Sequence, residues 1–94
     1  MPSRQEIIDV SKFFKVISDP TRLTILFLLR KESLNVTEIV NYVEMEQSAV
    51  SHQLRILRES RLVKSERQGK TVRYQLLDEH VFDILDQVLD HIRE

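Results

Sequence analysis

Residues 35–60 read NVTEIVNYVEMEQSAVSHQLRILRES, and their periodicity decides the fold. Asn35 and Glu38 have the acceptor-then-Glu spacing of a capping box. A short helix is therefore predicted from Val36 to about Tyr42, burying Ile39, Val40 and Val43. A second apolar stripe, Val50, Leu54 and Leu57, belongs to a helix from about Gln47 to Ser60. Ser48, His52 and Arg55 fall on its opposite face, with Ser51 at the edge. Two short helices joined by a tight connection read as helix-turn-helix.

Downstream, residues 63–76 read as a β-hairpin. Its turn is placed at Arg67-Gln68-Gly69-Lys70, which holds the single glycine, and Val72, Tyr74 and Leu76 alternate as in a half-buried strand. This hairpin is the wing of the motif. Upstream, Ile7, Val10, Phe14 and Ile17 form one stripe of a helix from about Glu6 to Ile17. Asp19 is an N-cap and Pro20 suits the first helical position, where its missing N–H costs nothing. The helix that follows, to about Lys31, is apolar nearly all round and so is buried and central. A last helix starts near Asp78, with Val81, Ile84, Leu85, Val88, Leu89 and Ile92 as a broad apolar arc. The order is four helices, hairpin, helix: a mainly α fold with a small β-hairpin, in one domain spanning 1–94.

Composition excludes several classes. There is no cysteine, so disulfides and thiolate metal sites are ruled out. No apolar run approaches the ~20 residues of a membrane helix, and the polar N-terminus is unlike a signal peptide. A cytoplasmic location with no membrane partner is expected. A net charge of −1 argues weakly against nucleic acid, but the distribution does not. Residues 47–76 carry seven basic and two acidic side chains, whereas 77–94 carry one basic and six acidic. That asymmetry points to one surface for phosphates and another for something cationic.

The candidate DNA-reading residues are Gln47, Ser48, Ser51, His52 and Gln53. Ser and His donate or accept at bases or phosphates, and Gln pairs bidentately with adenine. Arg55, Arg58, Arg67, Lys70 and Arg73 are phosphate or minor-groove candidates. A solvated polar helix face followed by a charged hairpin is the plain alternative.

The C-terminal segment holds four side chains of metal-ligand type: Asp78, His80, His91 and Glu94. On a helix, the eleven residues between the histidines span about 16 Å. Imidazole nitrogens sharing a zinc ion, each ~2.0 Å from it, lie within about 3–3.5 Å of each other. One chain cannot close that site, whereas an antiparallel copy brings His91 to His80. The alternative is a set of solvated polar groups flanking a dimer stripe. Asp83, Asp86 and Asp90 read as outer-face charge.

The stretches FKVISDPTRLTIL (residues 14–26), QSAVSHQL (47–54) and LVKSERQGKTVRY (62–74) together resemble the ArsR/SmtB family of repressors, over nearly all the chain after Ser11. The resemblance implies a homodimeric winged helix-turn-helix protein that dimerises through its N- and C-terminal helices. Its two recognition helices would meet successive major grooves about 34 Å apart. Asp78-x-His80 and His91-x-x-Glu94 match the family's metal site on the last helix pair. Two nitrogens and two oxygens suit Zn²⁺, with Co²⁺ a possible substitute. Arg61 matches a position thought to link the metal-bound His to the recognition helix. Glu44 and Glu46 depart from the Gly and Ser often found there. The implied function is a zinc-responsive repressor that binds an operator as an apo dimer, is released by metal and controls metal export. A relative of the same kind with another inducer, or none, is the alternative. No small organic substrate is expected. An enzyme is not expected either, because a four-ligand site leaves no position for water and no nucleophile–base pair appears.

Overall fold

The computed structural model describes residues 1–94 and places five helices around a three-stranded antiparallel sheet. Helix α1 (Arg4–Ile17) begins two residues earlier than the apolar stripe implied. The reason is a capping box: the Glu6 backbone N–H donates to Ser3 Oγ, and the Ser3 N–H donates to Glu6 Oε1. Helix α2 (Pro20–Lys31) starts as expected, with Asp19 accepting from the Arg22 N–H.

Strand β1 (Leu34–Asn35) is too short to show a period in the sequence and was not anticipated. Asn35 ends it and also caps α3 (Val36–Val43) through the Asn35–Glu38 box. Glu44 closes α3 in the left-handed region at φ 54°, donating its N–H to the Val40 carbonyl. Only Met45 and Glu46 separate it from α4 (Gln47–Glu59). Helix α4 ends in a Schellman motif. The Leu62 N–H donates to the Leu57 carbonyl and the Arg61 N–H to that of Arg58, with Arg61 at φ 60°.

Strands β2 (Val63–Gln68) and β3 (Thr71–Leu76) pair from Val63 with Leu76 to Gln68 with Thr71. The turn is tighter than expected, only Gly69-Lys70, with Gly69 at φ 64°, a conformation glycine adopts freely. Strand β3 lies between β1 and β2, matching Leu34 with Tyr74 and Asn35 with Arg73. Val72 is exposed, contrary to the alternation reading, because it lies toward the hairpin tip, beyond the body of the domain.

Helix α5 spans His80–Arg93, two residues later than expected. Asp78 is not its N-cap; that position is Glu79, which makes no side-chain capping bond. The fully buried residues are all apolar and form one cluster with contributions from every helix and from β1 and β2. Phe82 and Leu85 carry α5 into it, with Phe82 edge-on to Phe27 and beneath the Arg30 guanidinium. Arg30 also makes a two-pronged ion pair with Asp86, both N···O distances 2.7 Å. Asp86 is therefore not free outer-face charge. The Arg30 hydrogen bond holds its carboxyl below the usual carboxylate range.

Candidate nucleic-acid interface and metal-ligand pairs

Helix α4 buries Val50, Leu54 and Leu57 completely, and this fixes what its other side presents. Gln47, Ser48, Ser51, His52 and Arg55 are all exposed. Ser48, Ser51, His52 and Arg55 line a groove of about 440 Å³, with Arg58 and Tyr74 completing its walls. Tyr74 comes from the wing, and Arg58 points toward Ser65 on β2, so the groove lies between α4 and the hairpin. The sequence marked Tyr74 only as a half-buried strand residue; its place in the groove depends on sheet register, which local pattern does not encode.

Arg55 Nη2 lies 3.2 Å from His52 Nδ1. A guanidinium only donates, so in this contact Nδ1 is the acceptor. Arg67 and Lys70 stand exposed at the wing tip, where Arg67 Nε donates to the Gly69 carbonyl.

Two basic or polar candidates are used differently from expectation. Arg73 is half-buried and spans the sheet edge: its guanidinium donates to the Ser33 carbonyl at 2.6 Å and pairs with Glu38. Its pairing with Asn35 turns it toward the start of α3 rather than toward a phosphate. Gln53 is half-buried, and its Oε1 accepts from Arg22 Nη1 at 2.8 Å. It sits on the flank of α4 that faces the α1–α2 corner. Arg61 is exposed and its side chain makes no hydrogen bond within the chain.

The metal-ligand candidates form two pairs. Asp78 Oδ1 contacts His80 Nδ1 and also accepts from the His80 backbone N–H. At the other end of α5, His91 Nδ1 lies 3.4 Å from Glu94 Oε2. All four side chains are more than half exposed. In both pairs Nδ1 faces the carboxylate, so one nitrogen and one oxygen are presented together to a single ion. No three such residues gather within one chain. The helix between the pairs holds them about 16 Å apart. The donor set, imidazole and carboxylate with no sulfur, fits a zinc-like ion when both pairs converge.

Between the pairs, α5 leaves Ile84, Val88 and Ile92 exposed, and α1 leaves Ile7, Val10 and Phe14 exposed. No helix is long and apolar enough to cross a membrane.

The fold is that of a winged helix-turn-helix, and comparison with known proteins identifies the lineage. The bacterial regulatory protein arsR family matches residues 19–65. A transcriptional repressor SmtB homolog of Synechocystis is 42% identical over 90% of this chain and 64% of its own length. The regulator NmtR of Mycobacterium tuberculosis is 42% identical over 93% of this chain and 72% of its own. The cadmium resistance regulatory protein CadC homolog of Staphylococcus aureus is 38% identical over 98% and 77%. The solution structure of apo-NmtR superposes with a TM-score of 0.80 at 41% identity, covering 97% of this chain and 76% of that one. A homodimeric winged helix-turn-helix DNA-binding domain from Mycobacterium bovis does so at 0.84 and 25%, covering 100% and 92%. This chain belongs to the arsR family, whose members are transcriptional regulators and not enzymes.

Proposed function

We propose that the chain is one subunit of a homodimeric, metal-responsive repressor, with Zn²⁺ its metal and metal export the process it controls. One observation carries this reading. A carboxylate–imidazole pair is already assembled at each end of one helix whose intervening apolar stripe lies bare. An antiparallel copy of α5 covers that stripe and brings His80 and Asp78 of one chain to His91 and Glu94 of the other. The names of relatives support a metal: one is a cadmium resistance regulator, another a structure described as apo.

When bound, Zn²⁺ supplies a cross-link between the two last helices. The chain's own residues do the rest. Ile84, Val88 and Ile92 hold the helices side by side. Ser48, Ser51 and His52 meet base edges, and Gln47 sits at the start of the same helix. Arg55, Arg67 and Lys70 neutralise phosphates. Metal lowers operator affinity only if the free dimer binds it more tightly than the DNA-bound dimer, a coupling of about 1–3 kcal/mol. Glu44 and Glu46 add negative charge beside the reading helix and lower the affinity for phosphate.

Subunit mixing tests the shared site. His80→Ala and His91→Ala homodimers should each lose tight zinc binding in calorimetric titration while still binding DNA. Mixed heterodimers should recover one full site, because one of the two cross-chain sites then keeps both histidines. Zinc binding undiminished in either homodimer, or no recovery on mixing, would refute ligation across chains.

A further inference from the structure

Pro20 has no N–H, so the Val16 carbonyl in the last turn of α1 lacks its ordinary helical donor. Arg22 supplies one: its Nε donates to the Val16 oxygen at 2.6 Å, and Nη2 lies 3.5 Å from the Lys15 oxygen. The third arm, Nη1, donates to Gln53 Oε1 on α4 at 2.8 Å. The Arg22 backbone is held as well, by Asp19. A cation in the first turn of α2 opposes that helix's own dipole but suits the C-terminus of α1. Its position therefore answers to tertiary structure and not to α2.

We propose that Arg22 and Gln53 are a positioning pair. They fix the rotation of the recognition helix against α1 and thereby set the spacing between the two half-sites that a dimer reads. The inference rests on the repressor reading above. Helix α1 carries exposed Ile7, Val10 and Phe14 on the face assigned to the second subunit. Gln53 is one residue before fully buried Leu54 and one after exposed His52, at the hinge between core and reading face. The planar guanidinium reaches both helices at once, which an ammonium cannot reproduce.

The test uses the full chain and a duplex it selects from a random-sequence pool. That duplex is resynthesised with its half-sites moved by one and two base pairs, and binding is read by fluorescence anisotropy. The wild-type chain should lose about tenfold in affinity for a one-base-pair shift. Arg22→Lys and Gln53→Met should stay folded and dimeric yet flatten that loss to about threefold or less. Gln53→Glu keeps an acceptor for the guanidinium. It should keep the spacing preference while binding every duplex more weakly through its added charge. The double variant Arg22→Lys/Gln53→Met should discriminate no worse than either single one.

Equal losses at every spacing, or single-variant effects that multiply in the double, would overturn the proposal. So would a Gln53→Met variant that keeps the spacing preference but changes preference at one base pair, since Gln53 would then be reading that base. Failure of the wild-type chain to select any duplex would sink the repressor reading, and this inference with it.

Discussion

Helix α4 and helix α5 are both amphipathic, but they stand in opposite relations to the body of the protein. On α4 the apolar stripe is spent inside the chain, with Val50, Leu54 and Leu57 fully buried and polar groups left outside. On α5 only Phe82 and Leu85 are spent that way, while Val88 remains 50% and Ile92 70% exposed. Helix α1 behaves like α5, with Phe14 48% exposed. The contrast separates a surface finished within one chain from a surface left bare by it. Apolar area of this kind is stabilised by removal from water at roughly 25 cal/mol per Å². Its concentration on the two terminal helices marks where association is favoured.

The largest effect should come from breaking that division directly. Val88→Lys places two ammonium groups in the proposed seam, and an unpaired buried charge costs several kcal/mol. Sedimentation should show monomers at concentrations where the wild type is dimeric, and operator binding should fall with dimerisation. Arg55→Ala should instead leave the dimer intact and weaken DNA binding, with the slope against log salt reduced by about one. Dimers that survive Val88→Lys would show that α5 is not the seam.

A smaller effect sharpens the reading side. Glu46 caps α4 without a side-chain hydrogen bond, and Glu44 occupies a left-handed conformation. Glu46→Ser should stabilise the fold by about 1 kcal/mol, which is roughly 4–8 °C in melting temperature for a domain of this size. Glu44→Gly should add about 0.5–1 kcal/mol by removing a crowded Cβ. Both should tighten DNA binding, since each removes a negative charge at the start of α4, the helix proposed to read DNA. Unchanged affinity would place these carboxylates away from the duplex.

The smallest effect concerns how α5 is moored. The Arg30–Asp86 pair lowers the folded-state pKa of Asp86. Its contribution is therefore present above the ordinary carboxylate range and lost as pH falls through the lowered value. The pair is solvent-exposed, so the change should be slight. Arg30→Met should flatten the acid limb of the stability profile measured by thermal unfolding. An identical acid limb in the variant would show that the pair adds nothing.

Much of this was legible in the chain because it is written in local pattern. The Asn35–Glu38 box, the Asp19-Pro20 start and the stripe Val50/Leu54/Leu57 each carry their own signal at short spacing. The Ser3–Glu6 box carried the same signal, but the apolar stripe begins later and drew the start of α1 inward. What escaped was set by contacts distant in sequence. Arg73 reaches Ser33 and Glu38 only because β3 pairs with β1, and a two-residue strand leaves no periodicity to find. Arg22 meets Gln53, and Arg30 meets Asp86, across wide gaps in the chain. For the ligand candidates, residue type and spacing were visible at once, and the single chain brings them together only two by two.

The departures Glu44 and Glu46 gain a physical meaning from their places. The first stands where the backbone needs the left-handed freedom of glycine, and the second where a short hydroxyl would cap the helix.

Helix α5 is fastened to its own body only along its first half, through Phe82, Leu85 and Asp86. Its last two turns project like a cantilever, with Leu89 the one side chain between Val88 and Arg93 that is not exposed. In an isolated subunit those turns should fray, and their amides should exchange with solvent far sooner than those around Phe82. Deuterium uptake over residues 88–93 would thus serve as a built-in gauge of partner occupancy, readable without attaching a reporter group.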